Sequence, residues 1–168
     1  VIGPGIGQSA EAVEFLKQIL SLTDIPTVLD ADALNIIAAE QNLETHVHPM
    51  CILTPHPGEA ARLLGLSVEE VQKDRWKTAD SLHEKFGCTI VLKGHGTLIA
   101  TKDKEVIHIP SGNTALSQGG AGDLLSGVIG GTLAQGCKPQ IAAVIGTFVV
   151  GLAADILVRE HSTRGVTI

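Results

Sequence analysis

The sequence predicts an α/β fold with a mostly parallel sheet and helices on both of its faces. Short runs rich in Val, Ile, Leu and Thr alternate with longer segments whose apolar residues recur at helical spacing. The short runs are apolar almost throughout, which suits strands buried on both faces. Glycine-rich loops follow several of these runs, which gathers candidate ligand contacts along the carboxyl edge of the sheet.

Composition narrows the function classes. The 168 residues are 44% hydrophobic and 18% charged, a globular balance with enough chain for one real core. Aromatics make up only 2%, so that core is built of Val, Ile, Leu and Ala. A net charge of −6, with no basic patch and no aromatic stacking set, argues against nucleic acid as a partner. Cys51, Cys88 and Cys137 lack metal-like spacing; the first two border apolar runs and read as small core residues in a reducing, cytoplasmic setting.

Residues 1–2 read as the tail of a strand and residues 3–8 as a glycine loop. A helix over residues 10–22 follows, with Val13, Leu16, Ile19 and Leu20 at helical spacing and Ser9 placed to cap it. Residues 26–30 form a short buried strand that turns through Asp30-Ala31-Asp32 into a helix, and Asp32 reads as its cap. Residues 50–54 form a second strand, followed by Pro55-His56-Pro57 and a helix over residues 58–65. Ser67-Val68-Glu69-Glu70 has the form of a capping box, and a longer helix covers residues 73–86. Residues 89–93 form a strand, Gly94-His95-Gly96-Thr97 a tight turn, and residues 98–101 and 105–109 a hairpin across a charged turn. Residues 122–135 form a helix stopped by Gly136, and residues 139–158 form another. Its fourteen-residue apolar run from Ile141 to Ala154 is too short for a membrane span and reads as a buried core helix. The chain begins with strand-like Val1-Ile2 and ends with strand-like Val166-Thr167-Ile168. A single domain over residues 1–168, cut at both ends, is the expectation.

The chemistry concentrates at Gly119-Gly120-Ala121-Gly122-Asp123. Three glycines and an alanine leave backbone N–H groups uncovered, and a helix starting near Gly122 aims its free N–H groups and positive dipole end at that loop. Such a site suits phosphate. A carboxylate there repels the anion unless it has a task such as taking a proton. Asp123 is either that base or simply an acid in a helix's first turn.

Other motifs are less direct. Gly3-x-Gly5-x-Gly7 with Asp30 downstream imitates a dinucleotide fingerprint, but the third glycine comes two residues after the second instead of three. Lys93 can reach a phosphate from a loop that is not a Walker loop, or the stretch is a plain hairpin turn. His46 and His48 have no further ligands at a sensible spacing and read as a surface loop. Pro55 and Pro57 hold His56 stiffly after a buried strand, a placement suited to a ligand contact. Glu59 is either a helix-start carboxylate or a holder of Mg²⁺ through water.

Taken together, Gly3-Pro4-Gly5-Ile6-Gly7, Leu29-Asp30-Ala31-Asp32-Ala33-Leu34-Asn35, Leu53-Thr54-Pro55-His56-Pro57-Gly58-Glu59, Lys93-Gly94-His95-Gly96-Thr97 and Gly119-Gly120-Ala121-Gly122-Asp123 form a series. In order and spacing it resembles the ADP/ATP-dependent NAD(P)H-hydrate dehydratase family, the YjeF C-terminal-type domain of the ribokinase-like superfamily. The resemblance implies a three-layer αβα fold, with this chain holding the C-terminal two-thirds of the family domain. It implies repair of hydrated NADH and NADPH, with ADP or ATP consumed and Mg²⁺ as cofactor. By the same likeness Lys93, Gly94, His95, Gly96, Thr97, Asn113, Thr114, Gly119, Gly120 and Gly122 contact the nucleotide. Gly7, His56 and Asp123 contact the hydrated nicotinamide nucleotide, and Gly120, Ala121 and Gly122 join Asp123 in catalysis. A homo-oligomer, commonly a tetramer, is also implied. There are departures: Ala115 replaces a glycine expected to need positive φ, and Gln118 replaces a small hydroxyl residue.

The implied chemistry suits the residues. Hydroxide leaves a reduced ring poorly, so phosphorylating the ring hydroxyl makes a better leaving group. Asp123 would take the hydroxyl proton, and the N–H groups of the glycine loop would stabilise the transferring phosphoryl. A vitamin-precursor kinase of the same superfamily is the first alternative. A non-catalytic nucleotide-binding fragment is the second.

Overall fold

Five short strands form one sheet in sequence order: β1 (Thr27–Leu29), β2 (Cys51–Leu53), β3 (Thr89–Leu92), β4 (Thr97–Ala100) and β5 (Ile107–Ile109). They are seen in a computed structural model that describes residues 1–22, 25–103 and 105–161. β1, β2 and β3 run parallel, with Val28 beside Ile52 and Leu53 beside Ile90. Ile2 adds a parallel bridge to Leu29. β4 and β5 return antiparallel as the expected hairpin, with Val91 beside Ile99 and Leu98 beside His108. The sheet is therefore parallel over its first part and mixed as a whole.

The strand period of two sorts the core into two halves. Leu29, Leu53, Ile90 and Leu92 face one side, where they pack with α1 (Ala10–Leu20), α2 (Asp32–Ala39), α3 (Pro57–Leu64), α4 (Val68–Lys73) and α5 (Arg75–Phe86). Val28, Ile52, Val91 and Ile99 face the other, against α6 (Ala121–Ala134) and α7 (Pro139–His161). This is the three-layer αβα arrangement. Cys51 and Cys88 lie in the first half, 0% and 2% exposed, and burial pushes both thiols above their ordinary pKa.

Local signals set most helix starts. Ser9 Oγ accepts from Ala12 N at 3.3 Å, and α1 ends at Leu20, two residues before the expected limit. Ser67 and Glu70 make both bonds of their capping box. Asp74 caps α5 by accepting from Lys77 N at 3.0 Å, which is why that helix starts at Arg75 and not at residue 73. His48 is buried, which corrects the surface-loop reading. The strand-like 166–168 segment lies outside the described residues.

α7 spans 23 residues, longer than expected, and among the described residues it is the helix long and apolar enough to cross a membrane by length and composition. Here it packs Ala142, Ala143, Gly146, Val150 and Ala154 inward. Ile141, Ile145, Phe148, Val149, Leu152 and Ile156 remain exposed along its outer face.

Candidate active site

α6 enters directly from the glycine loop. Gly120 is its N-cap at φ 89°, in the left-handed region, so a side chain there would be strained. No side chain caps the helix. In its first turn Ala121 N donates to Gln118 O at 3.3 Å, the N–H groups of Gly122 and Asp123 have no partner among the described residues, and the Asp123 side chain is exposed with none either. One turn on, Ser126 is buried and its Oγ donates to Asp30 Oδ2 at 2.6 Å. Asp30, which directly follows β1, therefore ties α6 to the end of that strand.

Asp30 is the centre of a buried polar group. It is 1% exposed, and its Oδ1 accepts from Lys93 Nζ at 2.7 Å and from Ala31 N at 2.9 Å. The Lys93 ammonium also lies 3.8 Å from Glu59 Oε2 and 3.4 Å from where a Cβ on Gly122 would sit. A cation thus underlies the open N-terminus of α6, held by carboxylates that satisfy its charge. This differs from a lysine free to swing onto a phosphate.

Glu59 and His56 form a reciprocal cap. His56 N donates to Glu59 Oε2 at 2.8 Å, while His56 Nδ1 accepts from Gly58 N at 2.9 Å and Glu59 N at 3.3 Å. With Nδ1 accepting, the neutral ring carries its proton on Nε2, which lies 3.4 Å from Glu59 Oε1. Burial is the main cause holding the His56 pKa below its ordinary value, with Lys93 and Arg62 adding to it against the pull of Glu59. Half of the His56 side chain stays exposed beyond the cap. Glu59 is buried and its oxygens are engaged, so it stands as cap partner and counter-charge. Among the described residues no group of three or more His, Cys, Asp or Glu side chains could hold a metal ion.

A cleft of about 200 Å³ opens beside this group. Its lining includes Lys93, Gly94, His95, Gly96 and Thr97 from the turn before β4, Asn113 and Thr114 from the loop after β5, and Ala121 and Gly122 from α6. Gly119, Gly120 and Asp123 are at its edge in sequence but do not line it, and Gly7, His56 and Glu59 lie elsewhere. Two residues that sequence reasoning passed over shape the cleft. Arg75 donates Nη2 to Leu92 O at 3.3 Å and Nη1 to His95 O, pinning the turn. Asp155 accepts from Gly112 N at 2.9 Å and Asn113 Nδ2 at 2.8 Å, and these bonds hold its carboxyl below the usual range. Ala115 sits buried in a 3₁₀ turn, Thr114–Leu116, with its N–H donated to Asn113 Oδ1 at 2.9 Å. Its φ is not positive, which corrects the expected strain.

The glycine loop at residues 3–7 lies on the other side. Asp32 does not cap α2, whose N-cap is Ala31 at φ 49° with no side-chain bond. Asp32 reaches back instead: Gly7 N donates to its Oδ2 at 3.0 Å and Gln8 Nε2 to its Oδ1 at 3.2 Å. Asn35 Oδ1 accepts from Arg62 Nε at 2.9 Å, joining α2 to α3.

The model of a family described as NAD(P)H-hydrate dehydratase matches residues 1–168. The chain belongs to that family. An ADP-dependent (S)-NAD(P)H-hydrate dehydratase of Neisseria meningitidis serogroup B is 47% identical over 161 residues, 94% of this chain and 54% of that protein. The ADP/ATP-dependent NAD(P)H-hydrate dehydratase of Bacillus subtilis, co-crystallised with ATP/Mg²⁺, superposes with TM-score 0.85 at 38% identity, covering 99% of this chain and 58% of that one. A ribokinase-like superfamily protein of Enterococcus faecalis superposes with TM-score 0.81 at 33% identity, over 94% of this chain and 55% of that one. The fold is ribokinase-like. This family member spans a third of the length of its bifunctional relatives and little more than half of the single-activity one.

Proposed function

We propose that residues 1–168 form one domain that dehydrates hydrated NADH and NADPH at the expense of ADP or ATP. The observation that carries this reading is the start of α6, where open backbone donors, the Lys93 ammonium beneath them and an unpartnered Asp123 meet beside a cleft. That cleft receives the nucleotide, with residues 93–97, Asn113, Thr114, Gly119, Gly120 and Gly122 around it. The hydrated ring lies over Asp123, with Gly7 and His56 on its far side. Asp123 takes the ring hydroxyl proton as that oxygen bonds to the terminal phosphorus and the nucleotide's bridging P–O bond breaks. The N–H groups of Gly120, Ala121 and Gly122 stabilise the phosphoryl oxygens. The ring nitrogen's electron pair then expels phosphate and restores the reduced nicotinamide. Mg²⁺ would supply charge neutralisation on entering with the nucleotide phosphates. The Glu59 arrangement does not supply a free ligand for it.

The reading carries a cytoplasmic setting, in which all three thiols stay free, and a homo-oligomer, a tetramer by family likeness, measurable by light scattering. The decisive assay supplies the chain with hydrated NADH or NADPH, Mg²⁺ and ADP or ATP. Reduced nicotinamide and free phosphate should appear in equal amounts. Phosphate retained on the acceptor would make the chain a kinase, and nucleotide binding without product would make it a binding module.

A further inference from the structure

A second cavity, of about 530 Å³, opens on the substrate side between α2 and α3 and is lined by Gln8, Asn35, Ala38, Ala39 and Arg62. Gln8 directly follows Gly7, and Arg62 is one turn after Gly58 on α3. A Cβ built on Gly58 would lie 2.8 Å from His56 Cε1 and 4.0 Å from Arg62 Nη1, so the imidazole and the guanidinium flank the same glycine. The cavity is thus lined by the chain neighbour of Gly7 and by a guanidinium that shares Gly58 with His56.

Arg62 is its only cation. Nε is fixed by the bond to Asn35 Oδ1, while Nη1 and Nη2 have no partner among the described residues. A guanidinium held at Nε presents its remaining N–H groups as a planar fork, a shape that fits phosphate oxygens. Asp32, on α2 with Asn35, has both oxygens engaged by Gly7 N and Gln8 Nε2, and Glu59 is engaged by its cap, so neither competes for the fork. Ala38 and Ala39 keep the floor low and apolar, and the amides of Gln8 and Asn35 offer hydrogen bonds to sugar hydroxyls.

We infer that this trough holds the phosphate-bearing arm of the dinucleotide substrate, with Arg62 as its anion anchor. The inference rests on the proposed function. The phosphate has two possible sources: the pyrophosphate bridge common to both hydrates, or the ribose 2′-phosphate of hydrated NADPH alone.

Calorimetric titration with the products NADH and NADPH tests it without turnover. Arg62→Met should weaken binding about tenfold or more, the loss of one charged fork. Arg62→Lys should recover part of it, because a point charge replaces the fork. Ala39→Glu, which places a like charge in the trough without touching Arg62, should reproduce the loss. ADP affinity should be unchanged in all three, which reports an intact fold. Loss for both products assigns the pyrophosphate, and loss for NADPH alone assigns the 2′-phosphate. If Arg62→Met and Ala39→Glu both bind each product within about twofold of the wild type, a spread too small for a phosphate contact, the trough is wrong while the proposed function stands. If the wild type binds neither product, the proposed function fails and the trough falls with it.

Discussion

The chain sets two glycine loops beside carboxylates, and the two carboxylates are used in opposite ways. At residues 3–7 Asp32 closes onto the loop's own donors, with Gly7 N at 3.0 Å and Gln8 Nε2 at 3.2 Å. At the start of α6 the N–H groups of Gly122 and Asp123 remain open, no side chain caps them, and Asp123 is exposed without a partner among the described residues. A glycine loop with a satisfied carboxylate is a braced wall. One with an unsatisfied carboxylate beside open donors is prepared for an anion and a proton. In sequence the two look alike, and what separates them is whether a carboxylate reaches back.

If that contrast is right, removing each carboxylate should fail in a different way. Asp123→Asn should lower dehydration turnover by about a hundredfold to ten-thousandfold, the usual worth of a positioned base, while ADP and ATP still bind. Single-turnover assays and nucleotide titration on the same preparation check this, and near-normal turnover would remove Asp123 from the base role.

Asp30 lies between the two loops and should fail by stability. Asp30→Ala leaves Lys93 against Glu59 alone and Ser126 with only its longer contact to Thr54 Oγ1, so it should cost about 3 kcal/mol, at the low end for breaking a buried pair. Denaturant midpoints measure it. Ser126→Ala, which removes the bond to Asp30 and the longer one to Thr54 Oγ1 and leaves the ion pair, should cost about 1 kcal/mol. Equal losses in the two variants would show that the ion pair contributes little.

The fold was largely legible because its signals are local. Apolar runs at residues 27–29, 51–53 and 89–92 became strands, the charged turn became the β4–β5 hairpin, and Ser9 and Ser67 capped as their spacing indicates. The glycine entry into α6 at Gly120 was legible for the same reason, since consecutive residues carry it. What stayed hidden depends on distant partners. Asp32 has local propensity for a cap, but an N–H 25 residues upstream claimed it. Asp155 reads only as the end of an apolar run, yet it orders Gly112 and Asn113 across 43 and 42 residues. Arg75 looks like a surface charge at a helix start, and its targets in the Gly94 turn are set by tertiary packing. Ala115 erred the other way: a family glycine suggested positive φ, but the 3₁₀ turn accepts an alanine.

The braced loop gives a smaller test than either Asp30 or Asp123. Asp32→Ala should free Gly7 N and Gln8, costing about 1 kcal/mol in stability for the lost bonds. It should raise KM for the hydrate several-fold while ADP affinity holds, because neither Asp32 nor the residues it bonds line the cleft. An equal loss of nucleotide affinity would mean that the two loops are not independent.

The smallest effect concerns His56, whose cap works only when Nδ1 is unprotonated. Its pKa in the folded chain lies below the ordinary value of 6.5, chiefly through burial, so the unfolded chain binds more protons between the two values. The stabilising contribution is therefore complete above pH 6.5 and is lost as pH falls through the lower folded value. Half of the side chain is exposed, so the slope should be shallow. His56→Asn keeps a cap acceptor and removes the titration. Thermal midpoints taken across that window should fall with acid in the wild type and change less in the variant. Parallel curves would place the acid sensitivity at another group and leave the cap as a pH-independent brace, the same kind of closed contact that Asp32 makes on the first loop.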